Sequence, residues 1–345
     1  MIFQQFRAGG CLSYLVGCES TRSAALVDPE VSLLDVYLGE LTSHGLRLGY
    51  VIDTHTHADH FSAATTIARR LSVPTVMHQS TDALHVDLRV EDGETLRVGH
   101  ERIDIVHSPG HTSDSMTLVL SDRALTGDTL LIGTTGRTDL PTGDPAALYE
   151  SLFHRVARIP DTHQIFPAHD YKGRSSTTMG EERAHNPRFQ LREMDAFVRQ
   201  MESLSLSMPT HLTEALRVNR TGGKSVAQLI AEAARTLPLI SVEELRRRLD
   251  APASDLVLLD VRERAAYEAG HLPGARHLPR GQLELLVDAV LPDPAARVLV
   301  HCDDGRLSPL AAATLRELGF VHVVLLDGGL DAWRSAGHPL VAGSA

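Results

Sequence analysis

The segment His55-Thr56-His57-Ala58-Asp59-His60 places three imidazoles and a carboxylate within six residues. Imidazole and carboxylate are ligands of first-row transition metals. Alternate residues of an extended segment point the same way, so one short loop can present several of them together. Three later positions complete a set: His111 in Ser108-Pro109-Gly110-His111-Thr112, Asp128 in Leu125-Thr126-Gly127-Asp128-Thr129, and His169 in Phe166-Pro167-Ala168-His169-Asp170. A second group carries different chemistry. Val298-Leu299-Val300-His301-Cys302 ends in a cysteine and is followed by Asp303-Asp304-Gly305-Arg306-Leu307-Ser308. A cysteine between a strand and a helix receives backbone N–H groups and the positive end of the helix dipole. Both favour a thiolate, and later a persulfide, on the same sulfur.

The elements that must hold these groups are legible as short apolar runs between turn signals. Ala24–Val27, Tyr50–Ile52, Ile103–Val106, Met116–Leu120 and Gln164–Phe166 read as strands, and Ser62–Leu71 and Pro145–Ile159 as helices. Each metal-type residue follows such a strand, where α/β folds place their chemistry. Ser225–Arg235 reads as a helix closed by Leu237-Pro238, and Ile240-Ser241-Val242-Glu243-Glu244 starts afresh with an acidic first turn. Strands Leu256–Asp260, Val298–His301 and Val323–Leu326 alternate there with helix Leu310–Leu318. Two α/β domains are expected, residues 1–237, including the linker helix 225–235, and residues 238–345.

Composition narrows the function classes. A formal charge of -11 argues against nucleic acid, whose phosphates need a basic face. No apolar run is long enough for a membrane span, and the opening residues lack a secretory pattern. Three cysteines, Cys11, Cys18 and Cys302, build no disulfide framework, so a cytoplasmic setting is expected. Nineteen histidines are an excess whose positions decide which of them matter.

The histidine motif and its three ordered partners resemble the metallo-β-lactamase superfamily over roughly residues 1–225, which implies an αββα sandwich. Two branches fit. The glyoxalase II branch holds two metals that activate water for thioester hydrolysis. The persulfide dioxygenase branch holds one Fe(II) through two His and one carboxylate, with open positions for substrate and oxygen. Gly136-Arg137-Thr138-Asp139, the run Pro167–Gly173, Glu181-Glu182-Arg183 and Asn186-Pro187-Arg188 are similar to the second branch, and the long helical region typical of glyoxalase II is lacking. That resemblance implies one Fe(II) per chain on His55, His111 and Asp128. It makes His57, Asp59, His60 and His169 supports of the ligands and bound waters, and Arg137, Asp139, Tyr171 and Arg217 contacts to the thiol part of the substrate.

The C-terminal part resembles rhodanese over about residues 239–340. The likeness rests on Leu259-Asp260-Val261-Arg262-Glu263, Gly270-His271-Leu272-Pro273-Gly274-Ala275 and Leu326–Trp333. It implies a parallel-sheet α/β domain whose Cys302 exchanges sulfane sulfur, with Asp260 and Arg262 supporting the loop. The loop Asp303, Asp304, Gly305, Arg306, Leu307 departs from the common pattern, which has Arg at the place of Leu307. Asp303 and Asp304 should oppose negative charge on the sulfur and weaken binding of dianionic thiosulfate, with Arg306 compensating.

The expected activity is oxidation of glutathione persulfide, or a similar thiol persulfide, by O2 to sulfite and thiol, coupled to a sulfurtransferase that handles thiosulfate or sulfite. A dinuclear thioester hydrolase and a non-catalytic sulfur carrier are the alternatives. A homo-oligomer is compatible with all three.

Overall fold

The computed structural model describes residues 1–251 and 255–343. The chain divides into two compact units, Met1–Gly223 and Lys224–Ala345. Helix Val226–Arg235, which the sequence reading assigned to the first domain, thus falls in the second unit. It lies against helix Ser308–Glu317, and Arg316 donates a hydrogen bond to the Thr236 carbonyl (2.7 Å).

The first unit contains two six-stranded sheets. One runs in the order Ile2–Ala8, Cys11–Gly17, Ser23–Val27, Arg47–Ile52, Thr75–His78, Leu88–Val90. The other runs Thr177–Thr178, Gln164–Pro167, Arg123–Gly127, Met116–Val119, Glu101–His107, Thr95–Val98. Leu12, Tyr14, Ile52 and Val76 of the first sheet meet Ile103, Ile105, Leu118 and Leu125 of the second in a shared buried cluster. The outer face of the first sheet buries Leu26 and Val51 under helices Leu34–Ser43 and Ala64–Leu71. The other outer face buries Ala124 and Ile165 under helices Pro145–Glu150 and Met194–Glu202. This is the αββα sandwich expected from the sequence. Burying both faces of a strand calls for a nearly continuous apolar run rather than strict alternation, as in Ser23–Val27.

The helix expected over Pro145–Ile159 changes pitch on the way. An α-helix, Pro145–Glu150, passes into a π turn, Ser151–Arg155, and a 3-10 turn, Val156–Arg158. The change coincides with tight docking beside the metal-type residues. Ser151 donates to the Pro109 carbonyl (2.6 Å), and a Cβ on Gly110 would meet the Leu148 backbone at 2.3 Å. Proline at the first turn and an Asp144 cap that accepts from Ala146 and Ala147 fix where this helix begins.

The second unit has one parallel sheet in the order Leu239–Ile240, His322–Leu326, Arg297–His301, Leu256–Asp260, Arg276–His277. Its faces are buried in two separate clusters, one around Leu259, Val300 and Leu315, the other around Leu258, Leu299 and Trp333. Sheets covered on both faces by helices are the usual home of parallel strands. Among the described residues no helix is long and apolar enough to cross a membrane.

Candidate functional site

Strand Arg47–Ile52 delivers the histidine loop from the first sheet. The ends of Glu101–His107, Arg123–Gly127 and Gln164–Pro167 deliver His111, Asp128 and His169 from the second. Backbone hydrogen bonds close the two sheets on each other at this point: Met116 N–H to Thr54 O (2.9 Å), Leu12 N–H to Ala168 O (2.7 Å) and Asp170 N–H to Gly10 O (2.9 Å).

The motif divides among three groups whose donor atoms lie within 4.8 Å of one another. They are His55, His111 and Asp128; Cys11, Asp59, His60 and His169; and Asp28, Asp53 and His57. All members of the first are buried. Nδ1 of His111 lies 2.7 Å from the Arg137 carbonyl. A carbonyl only accepts, so Nδ1 carries a proton and Nε2 is the nitrogen turned to the group, 3.5 Å from Asp128 Oδ2. Thr54 donates its hydroxyl hydrogen to Asp28 (2.9 Å) and stands 3.0 Å from His55 Nδ1, so that nitrogen is the donor and His55 Nε2 is bare. Burial, with His57 and His111 close by, lowers the His55 pKa to about 3. A neutral His55 and an ionised Asp128 are the protonation states a divalent ion requires of them.

Burial works against ionisation of Asp128, but the charge and hydrogen bond of His169 outweigh it and hold the carboxyl well below the usual range. In the second group His60 is driven up to about 10. Burial opposes that rise, and Asp59 and Cys11 more than reverse it. His57 turns away from the first group, with Nε2 3.2 Å from Asp28 Oδ1.

A cavity of about 300 Å³ opens over the first group, and Arg137, Leu140, Tyr171 and Leu206 are among its walls. Both arms of the Arg137 guanidinium grip Asp139 (2.5 and 2.6 Å), and Nη1 donates to Ser207 O (2.8 Å). Buried Glu182 accepts from Gly133 N–H (2.9 Å), and Asn186 donates to Thr134 O (3.0 Å), which pins the loop leading to Gly136 and Arg137. Tyr171 is exposed and stacks on His169, with ring centres 5.9 Å apart. Of the four residues expected to contact the thiol part, Arg137 and Tyr171 line this cavity, whereas Asp139 serves Arg137. Arg217 stands on helix Leu212–Thr221 and lines a different depression with Leu84, Pro141 and Arg220.

Sequence reasoning missed four residues: Cys11, Thr54, Asp28 and Asn219. Asn219 donates to the carbonyls of His57 (2.9 Å) and His60 (2.8 Å) and so clamps the motif's backbone. For Cys11 a signal existed, because the Gly9-Gly10 turn before it marks close backbone approach. Asp28 and Asn219 act across long sequence separations, and Thr54, although next to His55, takes its orientation from Asp28 26 positions away.

In the second unit Cys302 is buried, and Sγ accepts from the N–H groups of Leu307 and Ser308 (3.3 Å each) at the start of helix Ser308–Glu317. Arg262, buried between Asp260 (2.7 Å) and the Gly270 carbonyl (2.8 Å), reaches Asp303 at 2.8 Å. Leu330 and Asp331 donate to the carbonyls of Cys302 and Asp303 (2.9 Å each). Gly329, at φ +59°, is needed there, since a Cβ would lie 2.6 Å from the Cys302 carbonyl oxygen.

Residues 6–169 match the metallo-beta-lactamase superfamily, and residues 241–336 match the rhodanese-like domain. The mitochondrial persulfide dioxygenase ETHE1 of Homo sapiens is 36% identical over 228 residues, spanning 65% of this chain and 89% of that protein. The crystal structure of ETHE1 from Myxococcus xanthus is 37% identical, with a TM-score of 0.63, and covers 65% of this chain and 100% of that one. A metallo-beta-lactamase from Staphylococcus aureus shares the fold at 22% identity and TM-score 0.62, over 95% of this chain and 98% of its own. The chain belongs to the persulfide dioxygenase family of the metallo-β-lactamase superfamily and is an enzyme whose dioxygenase domain is joined to a sulfurtransferase-type rhodanese domain.

Proposed function

We propose that the first unit holds one Fe(II) on His55, His111 and Asp128 and oxidises the outer sulfur of a low-molecular-weight thiol persulfide, glutathione persulfide being the leading substrate. The reaction balances as RSSH + O2 + H2O → RSH + H2SO3. The observation that carries this reading is the buried two-imidazole, one-carboxylate group, with both rings held in the ligand tautomer by Thr54 and the Arg137 carbonyl. Such a donor set leaves positions open on Fe(II).

Fe(II) would supply the one-electron chemistry that lets O2 combine with a closed-shell sulfur anion. The chain supplies the rest. Arg137 and Tyr171 at the cavity wall orient the thiol part and bring its sulfur over the donor group. His169, held protonated between carboxylates despite its burial, keeps Asp128 ionised and correctly turned. Leu131, Leu140 and Leu206 line the same space and limit its water. In the second unit Cys302 would carry sulfane sulfur between thiosulfate or sulfite and the thiol.

Oxygen uptake by the iron-loaded protein, measured with a panel of thiol persulfides and paired with a sulfite assay, tests this directly. Uptake with none of them overturns it. A specific observation favours a second reading, because Cys11, Asp59, His60 and His169 could hold another ion beside the first. Two tightly held zinc ions together with hydrolysis of lactoylglutathione would establish that reading instead.

A further inference from the structure

The two acidic residues after Cys302 are alike in sequence and unlike in space. The Asp303 carboxylate turns out of the loop to Arg262 (2.8 Å), with Arg334 also near at 3.7 Å, so its charge is matched. Asp304 is exposed at the mouth of the loop, with one oxygen turned to the sulfur. Its Oδ1 accepts from the Arg306 N–H (3.0 Å) and lies 3.9 Å from Cys302 Sγ. Among the described residues Asp304 has no cationic side chain within ion-pair distance, and the exposed Arg306 gives it only a backbone hydrogen. One uncompensated carboxylate therefore faces the sulfur, and it occupies a loop amide that could otherwise turn towards an incoming anion.

We infer that Asp304 sets the sulfur donor of this domain. It disfavours thiosulfate, both of whose charges sit on the reacting sulfur group, relative to persulfides, whose reacting S–S group carries one negative charge or, as RSSH, none. The Cys302 thiolate attacks the outer sulfur of RSSH, the S–S bond breaks, RS⁻ leaves and Cys302 becomes a persulfide. The exchange needs no added oxidant or reductant. Thiosulfate would follow the same course with sulfite leaving, but its second charge must approach a like charge. The inference rests on Cys302 being the sulfur carrier and narrows that reading to one donor class.

The test compares kcat/KM for glutathione persulfide and for thiosulfate, with cyanide as acceptor, in the full-length protein and in Asp304→Asn, Asp304→Ser, Asp303→Asn and Cys302→Ser. Wild type should favour the persulfide. Both Asp304 variants should shift the ratio towards thiosulfate by about fivefold at low salt, the scale for unit charges about 4 Å apart in water. Raising ionic strength should help wild type use thiosulfate and help the Asp304 variants less. Asp303→Asn, which loosens the loop, should slow both donors alike. An unchanged ratio in both Asp304 variants, or a wild-type preference for thiosulfate, overturns the assignment while leaving the carrier intact. Absence of transfer from any donor, with no sulfur gained by Cys302 in the intact mass, defeats the carrier reading and this inference together.

Discussion

Nδ1 of His169 lies 2.7 Å from one oxygen of Asp128 and 2.9 Å from the other, while its Nε2 is 2.8 Å from Asp59, so one buried imidazole is clamped between two carboxylates. The clamp divides the labour at the site. Asp128 belongs to the proposed ligand group, and His169 holds it there. Asp128→Ala should therefore abolish iron binding and oxygen uptake. His169→Ala should retain some iron and lose about 10–100-fold in activity. Metal analysis beside oxygen uptake checks both, and equal loss of metal in the two variants would refute the division.

Gly136 has no room for a side chain. A Cβ there would stand 2.2 Å from the Asp128 carbonyl oxygen and 2.9 Å from His111 Nδ1. Gly136→Ala should weaken iron binding by about tenfold or more through displaced ligands, measured by titration of the apoprotein. Unchanged affinity would mean that the loop gives way at little cost.

Arg137 is held at the cavity wall by Asp139 and the Ser207 carbonyl. Arg137→Ala should raise KM for glutathione persulfide about tenfold and change kcat less, the pattern of a lost binding contact. Steady-state oxygen uptake separates the two constants. A fall in kcat alone would place Arg137 in the chemical step instead.

Cys302→Ser should end sulfur transfer in either direction, since only a thiolate takes and returns sulfane sulfur. The same variant should keep near-full oxygen uptake when glutathione persulfide is supplied ready-made. Loss of that uptake in a folded, iron-replete variant would show that the two sites do not work independently.

His301 is fully buried, and neither ring nitrogen has a hydrogen-bond partner among the described residues. Burial lowers its pKa to about 4, and the attraction of Asp260 does not restore it. The unfolded chain then binds the extra proton between about pH 6.5 and 4, so stability is present above 6.5 and lost as pH falls through that window. The loss is roughly 3 kcal/mol at most. His301→Gln should flatten this limb in urea titrations of the second unit. Trp333, the chain's only tryptophan and buried in that unit, reports the transition. Parallel curves for wild type and variant would show that His301 does not set the limb.

Residues with a signature in their own local sequence were the legible ones. His55, His111 and Asp128 each follow an apolar run that reads as a strand, and strand ends meet at the C-terminal edge of a sheet. Cys302 was legible for the same reason. Asp28 and Thr54 are 26 positions apart, and Asn219 reaches back 162 positions to His57. No periodicity links such pairs, and only the closed fold brings them together. The charges on Asp303 and Asp304 were also plain, but their directions were not, because Arg262 is 41 positions from its partner. Helix Val226–Arg235 reads as a linker until helix Ser308–Glu317 is present to receive it.

The proposed ligand group draws His55 from one sheet and His111 and Asp128 from the other. An ion bound there is a rivet between the halves of the sandwich, and its binding free energy adds to the work of separating them. The melting temperature of the first unit should then vary with free metal, gaining about 2.7 kcal/mol of stability at a hundred times the dissociation constant. On the proposed iron reading, iron supply would thereby govern how much of this enzyme persists in a cell as well as how fast each copy turns over.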